Sequence, residues 1–133
     1  MTRITFSLTA LLAGGLTVGM TYVSLGAAGA GDVEKGMVLY EKCAACHTLD
    51  GTESDGPTLL GVYGRKAGSL DAFRFSAAMT RSTIVWSAET LDAFIADPQV
   101  SVAGNRMSFA GMTEKSERDD LLAYLGSVAK PKE

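Results

Sequence analysis

The most restrictive feature of the chain is Cys43-Ala44-Ala45-Cys46-His47, two thiols and an imidazole within five consecutive residues. On one helical turn the side chains at i and i+3 share a face, and the next residue presents its ring beside them. Thiols so placed can each bond one of two vinyl groups on the edge of a porphyrin while the imidazole ligates its iron, so the pattern reads as a site of covalent haem attachment. Three other uses of the motif are weaker. A zinc shell needs four ligands, and Cys43, Cys46 and His47 are the only cysteines and the only histidine present. A thioredoxin-like dithiol belongs in a βαβ setting, whereas the flanks here read as helix and glycine loop. A disulfide between residues this close closes a small strained ring for little gain.

The N-terminus has a different character. Arg3 is followed by an uncharged stretch to Gly31, with an apolar run from Phe6 to Val18 and the small residues Ala28-Gly29-Ala30 just before Gly31-Asp32. This predicts a secretory signal peptide over residues 1–30, cleaved after Ala30. The alternative is an uncleaved anchor, since a segment of this length can span a bilayer core of about 30 Å. Polar Thr9, Thr17, Thr21 and Ser24 favour cleavage. Either reading sends residues 31–133 outside the cytoplasmic membrane, to the periplasm in a soluble or tethered form. The formal net charge is −3, which argues against a nucleic-acid partner.

Residues 31–133 make one small domain, and such a domain gains from a large apolar cofactor at its centre. Asp32 is placed to cap a helix running from Val33 into the cysteine motif. Val33, Met37 and Tyr40 fall at i, i+4 and i+7 and predict its apolar face. Gly36 weakens a helix by about 1 kcal/mol against alanine, so it is expected where a second helix backbone comes close. The expected partner is the last helix, Glu114 to Val128, with Leu121, Leu122, Leu125 and Val128 as its stripe and Thr113 as its cap. A glycine-rich loop runs from Thr48 to Thr58, and its Pro57 carbonyl can accept from the Nδ1–H of His47 if the loop folds back; a plain turn at Gly56-Pro57 is the other reading. A short helix is expected around Leu59 to Tyr63. Arg65, Arg74, Arg81 and Trp86 are placed between helices, where they can reach the carboxylates of a haem, although Trp86 also suits simple packing. Ser87 caps a helix through Leu91, Phe94 and Ile95 that stops at Asp97-Pro98.

With a single histidine in the chain, a second strong axial ligand has to be another residue type, and a methionine thioether is the leading choice. Met107 lies in a glycine-flanked loop, Ala103 to Gly111, able to aim a side chain at a haem face, whereas Met79 and Met112 read as core fillers. His/Met ligation leaves no open iron position and favours electron transfer over oxygen chemistry. No repeat or strand pairing stands out, so the expected class is all-α, short helices and loops wrapped around one covalently bound haem.

Taken together, Gly31-Asp32-Val33-Glu34-Lys35-Gly36, the cysteine motif with Thr48, Gly56-Pro57, Gly64-Arg65-Lys66, Trp86, Arg106-Met107-Ser108-Phe109-Ala110-Gly111 and Glu117-Arg118 through Tyr124-Leu125 resemble class I cytochrome c, the mitochondrial protein and its soluble bacterial counterparts. The resemblance covers residues 31 to about 128 without evident insertion. It implies one haem c with thioethers at Cys43 and Cys46, iron ligated by His47 and Met107, a Pro57 carbonyl bond to His47, and Arg65 and Trp86 near the propionates. It places Phe109 by the exposed haem edge and Gly36 and Tyr40 against Leu121 and Tyr124. Asn105 stands where threonine is usual and is expected to donate to a propionate. Phe75 and Phe94 replace common tyrosines, and Met79 a common asparagine. Residues Gln99 to Val102 lack the lysines that in the family displace methionine at high pH.

The function so implied is one-electron transport, without enzymatic activity, from a quinol-oxidising cytochrome bc complex to a cytochrome oxidase or a reaction-centre-like acceptor. The carrier is expected to be a monomer, with transient, charge-steered partners. Lys42 and Arg106, with Lys115 beside them, are expected to flank the exposed edge. A haem enzyme or gas sensor is the rival reading and needs the position that Met107 is expected to fill.

Overall fold

The computed structural model describes residues 31–129, so the expected leader and its cleavage point lie outside the described residues. The chain forms five helices in this span: α1 (Val33–Ala44), α2 (Ala77–Arg81), α3 (Ala88–Ala96), α4 (Pro98–Ser101) and α5 (Lys115–Val128). Among the described residues the sole β pairing is an isolated antiparallel bridge between Lys66 and Val85, and the all-α expectation stands.

The terminal helices cross where Gly36 removes a side chain. A Cβ on Gly36 would lie 2.0 Å from the Asp120 carbonyl oxygen and 2.7 Å from the Tyr124 Cβ, so α5 approaches as only glycine allows. The crossing is also pinned by polar groups. Asp32 accepts at Oδ1 from the backbone N–H of Glu34 (2.9 Å) and Lys35 (3.2 Å), capping α1 as expected, while its own N–H donates to Asp120 Oδ1 at 2.7 Å. Tyr40 packs its ring on that of Tyr124, with centroids 5.5 Å apart.

The apolar face expected for α1 needs correction. Val33 and Met37 are 43% and 54% exposed, and the helix buries Gly36 and Tyr40 instead, with Leu39 and Cys43 partly covered. On α5, Leu121, Leu122 and Leu125 are buried but Val128 is 37% exposed. The start of α5 also differs: Glu114, not Thr113, occupies the cap position and makes no side-chain cap bond. Thr113 instead offers its carbonyl to Arg118 Nη1 at 2.8 Å. Arg118 is buried, with Nη1 also on the Met112 carbonyl at 2.8 Å and Nε on Asp92 Oδ1 at 2.8 Å, so one guanidinium ties α5 to α3 and to the segment between them. Burying such a charge is tolerable because it is paired and hydrogen-bonded.

The helix expected at Leu59 to Tyr63 is absent; the segment is a series of turns closed by the N–H of Val62 on the Leu59 carbonyl and that of Arg65 on the Val62 carbonyl. Gly61 (φ +68) and Gly64 (φ +80) sit in the left-handed region, which an α-helix cannot include. Tyr63 anchors these turns to α5 through its hydroxyl, 3.0 Å from the Leu122 carbonyl. Arg81, expected between helices, ends α2, which the sequence reading missed. Ser87 caps α3 in a reciprocal capping box with Thr90, and Asp97 both ends α3 and caps α4 through the N–H groups of Gln99 and Val100.

Candidate functional site

The folded chain encloses a cavity of about 700 Å³, within the range of about 300–1,000 Å³ usual for small-molecule and cofactor sites. It is lined by Cys43, Cys46, His47, Pro57, Arg65, Trp86, Met107 and Phe109, eight of the nine residues singled out from sequence. The ninth, Asn105, does not reach it.

His47 follows directly from the end of α1. Its backbone N–H closes on the Cys43 carbonyl at 2.9 Å, and its own carbonyl accepts from the Tyr40 hydroxyl at 2.9 Å. The ring is fixed from the other side, since Nδ1 lies 2.7 Å from the Pro57 carbonyl oxygen. A carbonyl only accepts, so Nδ1 carries a proton, the arrangement that assigns Nε2 as the nitrogen available to a metal. Gly56 holds the loop against the ring: its N–H donates to the Cys46 carbonyl at 2.7 Å, and an added Cβ would meet His47 Cε1 at 2.6 Å and Nδ1 at 2.8 Å. Of these supports only the Pro57 carbonyl was foreseen. The Tyr40 bond and the Gly56 contact were not: the first joins α1 to the residue just past its end, and the second depends on how the Thr48 to Thr58 loop folds back.

Burial also acts on the titrating groups here. It raises the Cys43 thiol above its ordinary pKa, with Lys42 pulling the other way. It pushes the Tyr40 phenol up to about 12, Cys43 adding to the effect. Cys46 is exposed and Cys43 partly buried, and the two are not disulfide-bonded.

Arg65 is anchored by its Nη1 on the Leu60 carbonyl (3.0 Å) and Nη2 on the Thr58 carbonyl (2.8 Å), which leaves other N–H groups for the cavity. Burial lowers its pKa from the ordinary arginine value and Glu53 works in the opposite direction. Trp86 is buried and lines the cavity, its ring centroid 5.1 Å from that of Phe94. An indole N–H on a lining residue is a donor suited to an anionic acceptor in the cavity.

Met107 comes from the loop between α4 and α5 and is half-buried. Met112 is a buried core residue, as the sequence suggested, while Met79 is buried and also lines the cavity. The donation expected from Asn105 to a propionate is corrected by the structure. Its two amide hydrogens go to the carbonyls of Pro98 (2.8 Å) and Val102 (2.9 Å), and its oxygen accepts the Met107 N–H at 2.9 Å.

The walls are apolar, including Leu59, Val62, Phe75, Phe94, Leu121 and Leu125, and the charged lining is lopsided: Lys42, Arg65, Lys66, Arg74 and Arg106 against Asp55 alone. Arg106 donates from Nη2 to the Arg74 carbonyl, joining two rim arginines that sequence placed far apart. Lys115 is corrected out of this rim, because it is paired with Asp119 and with Asp92 at 3.8 Å. Lys42 is 3.8 Å from Glu117, with both side chains about half exposed, so that pair is weak.

The donor set fits a haem. It combines an apolar slot for a flat macrocycle, two thiols at one end, an imidazole nitrogen, a thioether sulfur, and a cationic rim for carboxylates. Among the described residues no cluster of three His, Cys, Asp or Glu side chains could hold a metal ion unaided.

A family profile described as Cytochrome c matches residues 33–129. The chain is similar to cytochrome c2 of Rhodoplanes tepidamans, 43% identical over 96 residues that span 71% of this chain and 90% of the relative. It is 42% identical over 98 residues to cytochrome c 2.1 of Caenorhabditis elegans, spanning 72% and 88% of the two chains. Among solved structures it resembles cytochrome cH from Methylobacterium extorquens, with a TM-score of 0.70, 38% identity, and coverage of 73% of this chain and 99% of the other.

Proposed function

Because the chain belongs to the cytochrome c family, a family of electron carriers with one covalently bound haem c, we propose that it carries electrons from a quinol-oxidising cytochrome bc complex to a cytochrome oxidase or a reaction-centre-like acceptor. The observation that carries this reading is the convergence of Cys43, Cys46, His47 and Met107 on one apolar cavity with a basic rim. The haem supplies an iron that alternates between ferric and ferrous states.

The residues then divide the work. Cys43 and Cys46 are the attachment points, and His47 and Met107 the ligands, so no position is left for oxygen chemistry. Pro57 and Tyr40 hold His47 in one orientation, which keeps ligation the same in both oxidation states. Arg65 and Trp86 are the donors toward propionates, and Phe109 lies at the exposed edge. The apolar walls keep water from the centre and so reduce the rearrangement that accompanies a change of charge. Arg74, Arg106 and Lys66 have no acidic partner among the described residues and give the edge a positive field in a chain of negative net charge. That arrangement suits brief encounters with acidic partner surfaces.

The compartment proposed is the periplasm, with residues 1–30 removed or retained as a tether. No helix among the described residues is long and apolar enough to cross a membrane. Two measurements test the proposal. The mass of the native protein should show a covalent haem and, for the cleaved form, a start at Gly31. The rate of electron exchange with a purified bc complex should fall as ionic strength rises; a flat or rising rate overturns the role of the basic edge.

A further inference from the structure

We propose that Asn105 is a positioning residue for the sulfur ligand, an amide clamp that sets how firmly the Met107 loop holds its side chain in the cavity. The inference rests on the reading of Met107 as an axial ligand. Asn105 is one of three buried polar or charged residues in the described chain, 6% exposed, and every polar atom of its side chain is engaged. Its amide nitrogen ties together the carbonyls of Pro98 and Val102, the first residue of α4 and the residue that closes it. The amide oxygen takes the N–H of Met107 at 2.9 Å.

The backbone of Asn105 extends the network. Its N–H reaches the Val102 carbonyl at 3.1 Å and its carbonyl accepts from Gln99 Nε2 at 3.1 Å, while Gln99 Oε1 accepts from the Gly104 N–H at 3.2 Å. Thus α4 and the Met107 backbone are connected through one side chain that does not itself line the cavity. On the far side of Met107 the loop is freer: Ser108 and Ala110 are exposed and Phe109 is half-buried.

Only a planar amide can supply two donors and one acceptor in this geometry. An alanine removes three hydrogen bonds: the Met107 N–H loses its acceptor, while the Pro98 and Val102 carbonyls keep only their backbone donors, the N–H groups of Val102 and of residue 105; a threonine hydroxyl replaces one donor and one acceptor. Loosening the loop favours the state in which sulfur is off the iron, so an added imidazole competes better for that position.

The test uses ferric holoprotein, imidazole as competing ligand, and the weak near-infrared sulfur–iron band as a second readout. With Asn105→Ala, imidazole should bind roughly tenfold to hundredfold more tightly and the band should vanish at lower pH, as the loss of three hydrogen bonds implies. Asn105→Thr should fall between the variant and the parent, and it carries the test by itself if the alanine protein does not mature. Tyr63→Phe removes a hydrogen bond to α5 far from this loop; it should lower the unfolding midpoint and leave imidazole affinity unchanged. Unchanged imidazole affinity in Asn105→Thr and Asn105→Ala overturns the clamp alone, as does an equal shift in Tyr63→Phe. A parent protein with no sulfur–iron band overturns the ligand assignment of Met107 instead.

Discussion

The His47 and Met107 sides of the cavity are built differently. His47 is held by contacts to its ring and to its own backbone: the Pro57 carbonyl, the Tyr40 hydroxyl and the bare face of Gly56. Met107 is half-buried against the core, and its one polar anchor among the described residues is its backbone N–H, taken by a neighbouring amide on a loop that starts from a four-residue helix. The contrast teaches that the proposed nitrogen ligand is fixed in orientation, while the proposed sulfur ligand is positioned through its loop. Such a loop is the natural place for a ligand to come off.

Gly56→Ala tests the stiff side with the largest expected effect. The new Cβ would lie 2.6 Å from the imidazole, and relief requires shifting either the ring or the Pro57 carbonyl, so stability should fall by about 1–3 kcal/mol in denaturant unfolding of the holoprotein. Gly104→Ala is the matching change on the other side. Its nearest neighbour is the Ala78 Cβ at 3.5 Å, so only the φ of +85° opposes it, with a cost of about 1–2 kcal/mol. A Gly104 variant less stable than the Gly56 variant would reverse the comparison.

Tyr40→Phe should cost about 1 kcal/mol at neutral pH, and it also has a pH signature. The folded-state pKa is raised to about 12 by burial, above an unfolded value of about 10. The protonated phenol therefore contributes full stability below about 10, and that contribution is lost as pH rises toward the folded value. Unfolding midpoints measured across this window should decline less in Tyr40→Phe than in the parent. The smallest expected effect is none at all: residues 99–106 contain no lysine, so alkaline ferric protein should show no amine ligand traced to that segment by magnetic resonance.

Much of the stiff side was legible in the sequence because its chemistry is local. The cysteine motif, the Asp32 cap and the Pro57 carbonyl all follow from residue type and short spacing. The apolar face of α1 was misread for a physical reason: its closest contact is made by Gly36, which carries no hydrophobic signal, so periodicity drew attention to the exposed Val33 and Met37. The turns at Leu59 to Tyr63 were hidden because an apolar run is compatible with a helix until the left-handed Gly61 and Gly64 are seen. Asn105 was given a donor role toward a propionate, whereas its amide hydrogens go to the carbonyls of Pro98 and Val102 and its oxygen accepts from Met107. Its carbonyl partners are the first residue of α4 and the residue that closes it, and the sequence places only a helix stop at Asp97-Pro98, with no helix after it. Lys115 looked free because the acids that neutralise it come partly from α3, through Asp92.

The account's central claim is that His47 and Met107 together close the coordination of one iron. The absorption spectrum and midpoint potential of Met107→Ala, compared with the parent holoprotein, test it most directly. The account predicts loss of the near-infrared sulfur–iron band, high-spin ferric features, rapid carbon monoxide binding by the reduced variant and a lower potential. A variant with the parent's colour, spin state and potential would contradict it.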